Sequence, residues 1–234
     1  MSEARRSSYE VIIVALAPAA LLVALVAHPY LAGRLPNEEA IAEAVAADTT
    51  RWGLVHLAAA VASGLVILAF LAIRDYLRDA GDRRHSALGV PFIVIGSTLF
   101  AIVPGMEFAA LAAAETGGSL ADIAAAQAAV EDWFVPALAI SALTFAIGVV
   151  AFMRGIIATG VLSRPLTAVV VGALAVMVLS RAVPVAAAQF YLQSAASIVA
   201  LWPLAYQMWR GPAPGAAAQP GRARSTSPTH VLGP

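Results

Sequence analysis

The sequence predicts an all-α, polytopic membrane protein, a bundle of six transmembrane helices with both termini cytoplasmic, and three observations carry that reading. The 234 residues are 61% hydrophobic and only 12% charged, with mean hydropathy +0.83, whereas soluble domains carry roughly 25% charged residues. Six apolar runs each approach the ~20 residues needed to cross a hydrocarbon core ~30 Å thick at ~1.5 Å rise per residue. The arginines fall on alternate connections between those runs, as the positive-inside rule requires.

The first run, Tyr9 to Ala32, follows Arg5 and Arg6. A cleaved signal peptide is its rival reading, but the run is long and "LVAHPY" lacks a small-residue cleavage site; cleavage would leave five spans in the same orientation. The second, Trp52 to Ile73, leads into "RDYLRDAGDRR" with Arg74, Arg78, Arg83 and Arg84, on the cytoplasmic side. The third, Ala87 to Ala114, contains Pro104 and Gly105, which can kink it. The fourth, Trp133 to Phe152, precedes Arg154 and Arg164; the fifth, Leu166 to Val183, and the sixth, Gln189 to Trp209, are separated by an outer turn, "PVAAAQ", in which Pro184 helps end the fifth helix. Of the 14 arginines, Arg34 and Arg51 alone lie on the outer side and Arg181 alone within a span. Glu38, Glu39, Glu43, Asp48, Glu115, Asp122, Glu131 and Asp132 make the outer face acidic.

Both long outer loops read as short amphipathic helices at the membrane surface. Asn37 is placed to cap a helix carrying Glu38 and Glu39 in its first turn, with Ile41 and Val45 on one face. Ser119 and Asp122 have capping-box spacing ahead of a stripe of Leu120, Ile123, Ala126 and Val130. Trp52 and Trp133, which follow these loops, read as interface anchors. Ala60 and Gly64, and Ala142 with Ala146, follow the small-xxx-small pattern of helix packing positions. After the membrane domain, 1–210, the tail 211–234 has nine Gly and Pro residues in 24, no apolar periodicity, and is expected to be disordered.

Composition excludes several chemistries. There is no cysteine, hence no disulfide, thiolate metal site, iron–sulfur cluster or covalent haem attachment. All 14 basic residues are arginine, so no lysine can form a Schiff base with retinal or pyridoxal phosphate. No nucleotide-binding loop, nucleic-acid module or HExxH spacing occurs, and the serine of "GSTL" lacks a base. Asp75, Asp79 and Asp82 are spaced suggestively for magnesium, but the interleaved arginines make solvated ion pairs the better reading.

The stretches "EEAIAEAVAADTTRWGLVHLAAAVASGLVILAFLAIRDYLR" and "GVLSRPLTAVVVGALAVMVL" have a layout that resembles an uncharacterised six-helix family of bacterial integral membrane proteins, a domain of unknown function. The resemblance would span roughly Tyr9 to Trp209. It implies the architecture and a bacterial inner-membrane location, and it assigns no catalytic residue.

Ionisable groups at bilayer depth are the default functional candidates. His28, His56, Glu107 and Arg181 lie at one depth near the outer face, bordered by Asp132, Gln189, Tyr191 and Gln193. Two opposite charges at one depth in an apolar bundle are expected to find each other, so Glu107 and Arg181 are the anticipated pair of an outward-opening pocket. The expected function is non-enzymatic: small-molecule or lipid binding, or a transport-related or accessory role, without cofactor. The alternative is a haem- or metal-dependent membrane enzyme or electron carrier using His28 and His56, with haem b or a metal on the two histidines; a hydrolytic metal site would want a third ligand such as Glu107 and an open position, and no spacing of the HExxH kind supports one.

Overall fold

The computed structural model describes residues 8–34 and 37–211, so Arg5, Arg6 and the tail from 212 onward lie outside the described residues. Among the described residues every regular element is helical: α1 Ser8–Ala27, α2 Glu38–Ala47, α3 Thr49–Asp79, α4 His85–Met106, α5 Phe108–Glu115, α6 Leu120–Ala128, α7 Glu131–Thr159, α8 Arg164–Leu179 and α9 Ala186–Arg210, with a 3-10 turn at Ser180–Ala182. Five segments are long and apolar enough to cross a membrane: α1, α3, α4 with α5, α7, and α8 with its turn. The sixth expected span, α9, has 25 residues but is not among the five. Its buried face carries Gln189, Gln193, Ser194 and Ser197, which lower its hydropathy while turning its polar groups inward.

The six long helices form a closed ring in chain order. Each packs on the next, α1 on α3, α3 on α4, α4 on α7, α7 on α8 and α8 on α9, and α9 returns to α1. The indole of Trp202 donates to Ala15 O across that closing contact at 3.1 Å. The core of the ring is built from Val14, Phe70, Phe145, Phe152 and Leu201 among others, with edge-to-face packing of Phe70 on Phe145 and Phe152. Large apolar residues also face outward along the helices, including Ile12, Val23, Val61, Ile95, Leu143, Val150 and Ile157. An apolar outer face over an apolar core suits a lipid solvent, and exposed aromatics cluster at both ends, Tyr9 and Trp209 at one and Tyr30 and Trp133 at the other.

Closest approach is made by glycine, at positions other than those expected. A Cβ on Gly96 of α4 would lie 2.6 Å from Phe145 N of α7, one on Gly148 2.8 Å from Ile93, and one on Gly89 2.9 Å from Gly148 O. A Cβ on Gly64, by contrast, would meet nothing beyond its own helix within 4 Å among the described residues, and Gly64 is exposed, while Ala60, Ala142 and Ala146 are only partly buried.

At one end α2, α5 and α6 form a layer over the ring, joined through Leu31, Ile41, Val45, Trp52, Ala110 and Ile123. Both expected caps are present. Asn37 accepts from Ala40 N at 3.1 Å, and Ser119 and Asp122 make a reciprocal capping box. Leu120 is exposed, and the buried face of α6 is Ile123 with Gln127. At the opposite end Asp75 pairs with Arg74 and Arg78, and Arg78 with Asp79, as expected of a solvated helix end. Asp82 differs: it is buried and receives the amides of Arg84, His85 and Ser86 at the start of α4.

α3 and α7 run on past the expected ends at Ile73 and Phe152, to Asp79 and Thr159, and three other boundaries depart from expectation in ways that shape the site. The first helix ends at Ala27, before Ala32, because Pro29 disfavours helical backbone at His28. The third run is two helices separated at Glu107, three residues after Pro104, whose missing amide leaves the Phe100 carbonyl without its ladder donor. The last outer turn shrinks to Val183, Pro184 and Val185, with α9 starting at Ala186.

Candidate functional site

These boundary features position the site. His28 sits on the non-helical segment after α1, His56 in the second turn of α3, and Glu107 at the α4–α5 break. The three are distant in sequence, yet their ligand atoms all lie within 4.8 Å of one another. His56 is almost fully buried, and Glu107 is 12% exposed. Its Nε2 meets Glu107 Oε2 in a close hydrogen bond.

Backbone carbonyls orient both imidazoles. A carbonyl oxygen can only accept, so His28 Nδ1 must donate to Pro29 O, at 2.8 Å, and His56 Nδ1 to Trp52 O, at 2.6 Å. Aromatic rings hold them: Trp52 stacks on His56 with centroids 4.3 Å apart, and Phe190 meets His28 edge-on at 4.9 Å. Trp52, expected at the lipid interface, is wholly buried in this role, while Trp133 is the exposed one at 72%. The His28 and His56 rings contact each other directly, with centroids 5.0 Å apart and planes 55° apart. Haem b on these two histidines needs a porphyrin between them, and here no gap separates the rings.

Arg181 does not pair with Glu107. It follows α8 in the 3-10 turn, donates from a terminal guanidinium nitrogen to Ser141 Oγ at 3.2 Å, and lies between the rings of Phe100 and Phe145, 4.3 and 4.1 Å from their centroids. Ser141 in turn donates to Gly96 O at 2.8 Å. Two aromatic faces and the C-terminal dipole of α8 stabilise this buried cation where a carboxylate was expected. Arg181 is 8% exposed, so its guanidinium stays inside the bundle.

Arg181 and Glu107 nonetheless line one cavity of about 290 Å³, together with His28 and His56. That volume is at the lower end of the ~300–1,000 Å³ typical of small-molecule sites. Its walls are mainly apolar, from Leu25, Ile41, Phe100, Val103, Phe134, Leu138 and Phe190, with Glu38, Gln127, Glu131 and Gln189 adding polar groups. Of the bordering residues expected, Gln189 lines it, Gln193 is buried beside a smaller space of about 10 Å³ next to Arg181, and Asp132 and Tyr191 are exposed and line neither. Gln127 Oε1 and Gln193 Oε1 are buried without hydrogen-bond partners among the described residues.

Trp52, Phe190, Gln127, Glu38 and Glu131 were not legible as site residues. Gln127 had a signal, because it follows Ile123 by one helical turn on the buried face of α6. Comparison with family models, with curated proteins and with solved structures finds no match to this chain.

Proposed function

We propose that this chain is a six-span bacterial inner-membrane protein, with both termini cytoplasmic, that binds a small amphiphilic molecule in a cavity at the outer end of its bundle. The single observation that carries the reading is the cavity of about 290 Å³, apolar along most of its wall and furnished with His56, Glu107 and Arg181. An apolar body lies against Leu25, Val103, Phe134 and Leu138, and the polar end meets the ionisable groups. Arginine placement supports the orientation: Arg74, Arg78, Arg83 and Arg84 cluster at the end opposite the cavity. The inward polar face of α9 supports counting it as the sixth span, because those groups meet the bundle interior and not lipid. The role is binding or transport-related.

Native mass spectrometry of the purified protein tests the ligand. Wild type is expected to retain a copurifying amphiphile and Leu138→Trp, which fills the cavity, to lose it with helix content unchanged. Equal retention in the two refutes the assignment, as does a wild type that carries no amphiphile and gains no thermal stability from a panel of them. The chain has no cysteine, so single Thr116→Cys and Arg83→Cys variants report sidedness. An impermeant maleimide on intact cells should label the first alone, and labelling of the second alone reverses the orientation.

A further inference from the structure

We propose that His28, His56 and Glu107 bind one divalent first-row transition-metal ion at the polar end of this cavity. The inference deepens the pocket reading by naming what occupies that end, and it rests on that reading only for the space the two share.

The donor set is the first support. Two imidazole nitrogens and one carboxylate oxygen, contributed by three separate elements, converge to within 4.8 Å. Such a set suits zinc, iron(II) or manganese, and the absence of cysteine removes the thiolates that favour softer ions. Three protein ligands leave at least one coordination position open, here toward the cavity.

The second support is the orientation of the rings. With each Nδ1–H given to a backbone carbonyl, Nε2 is the nitrogen that each histidine has left to offer a cation. Fixing a ligating histidine through its other nitrogen is how proteins set tautomer and ring direction at metal sites. His56 Nε2 and Glu107 Oε2 are two electron-pair donors facing each other across one proton, and a cation can take that proton's place.

A plain buried His–Glu hydrogen bond accounts for His56 and Glu107 but leaves His28 over. Among the described residues His28 Nε2 has no hydrogen-bond partner, although its ring is packed among Trp52, His56 and Phe190. Metal–ligand distances near ~2.1 Å require donors about 3 Å apart. Metal binding therefore draws His28 closer to His56 and Glu107 by a small shift of the segment that carries it, which is non-helical backbone beyond Ala27, with the ring keeping its bond to Pro29 O. Glu38 and Glu131 on the cavity wall offset the positive charge that Arg181 adds there.

The test uses the full chain, purified through a tag without histidine, stripped with chelator and titrated with Co²⁺ in detergent. Wild type is expected to bind one equivalent with visible d–d bands that Zn²⁺ displaces. Glu107→Gln, nearly isosteric, and His28→Ala, at a partly exposed position, should each weaken binding at least tenfold while keeping wild-type circular dichroism and elution volume. Wild-type affinity in both variants, or no saturable binding by wild type above an empty-detergent control, overturns the proposal. Amphiphile retention measured on the same stripped samples separates the two readings. Retained amphiphile without cobalt binding sinks the metal alone, and cobalt binding without amphiphile sinks the pocket ligand alone.

Discussion

Replacing Gly96 with alanine should unfold this protein several degrees early, and the contacts of α4 with α7 set the size of the effect. A Cβ at Gly96 would lie 2.6 Å from Phe145 N and 2.8 Å from Phe145 Cα and Cβ. Non-bonded carbons settle near ~3.5–4.0 Å, so the two helices must part by about 1 Å. The obstacle is largely backbone, and no rotamer change relieves it. Overpacking of this kind costs about 1–3 kcal/mol. Parting the helices also stretches the 2.8 Å bond from Ser141 to Gly96 O, which in turn steadies Arg181, for about 1 kcal/mol more. Alanine returns about 1 kcal/mol through helix propensity. The expected net loss of about 1–3 kcal/mol corresponds to a Tm lower by about 3–10 °C at this chain length. Thermal unfolding in detergent followed by circular dichroism measures it, with Gly64→Ala as the reference. A Cβ on Gly64 would meet nothing beyond its own helix within 4 Å among the described residues, so that variant should be neutral or gain up to about 1 kcal/mol. A Gly96→Ala protein as stable as Gly64→Ala would refute the packing argument.

Two further outcomes are expected. Burial pushes the Asp82 carboxyl up, but the amides of Ser86, His85 and Arg84 more than reverse this and hold it at about 2. A carboxyl lowered on folding stabilises above its unfolded value near ~3.9, and that stability is lost as the pH falls toward 2. The contribution is about 2 kcal/mol, so the Tm gap between wild type and Asp82→Asn should be open at pH 6 and shrink between pH 5 and 2; a gap unchanged over that window refutes the cap. A double-mutant cycle should give a coupling of about 1 kcal/mol or more between His56→Gln and Glu107→Gln, whereas Arg181→Ala and Glu107→Ala should add within about 0.5 kcal/mol. The reverse pattern would restore the Glu107–Arg181 pair.

Much of the frame was legible. The apolar runs marked α1, α3, α7 and α8, and the Asn37 and Ser119 caps were readable because a cap depends on residues three apart. That His28, His56, Glu107 and Arg181 could meet was readable because rise per residue converts sequence position into height along a helix, and all four line one cavity. Direction around each helix was not readable. Nearly every face of these helices is apolar, so the periodicity that separates inside from outside in a soluble protein is too weak to assign Trp52 inward and Trp133 outward. The partner of Glu107 was not readable for a related reason: charge alone favours arginine, but Arg181 is held between Phe100 and Phe145 on the α4–α7 side.

By itself the sequence determined an all-helical chain with several helices long and apolar enough to cross a membrane, and the chemistries its composition forbids, since these follow from local propensities and residue types. Only the tertiary structure decided that Pro29 frees His28 from its helix, that the α4–α5 break delivers Glu107 to His56, and that glycines at 89, 96 and 148 let α4 and α7 touch. Such contacts join residues far apart in the chain, and their geometry exists only once the ring of helices has closed.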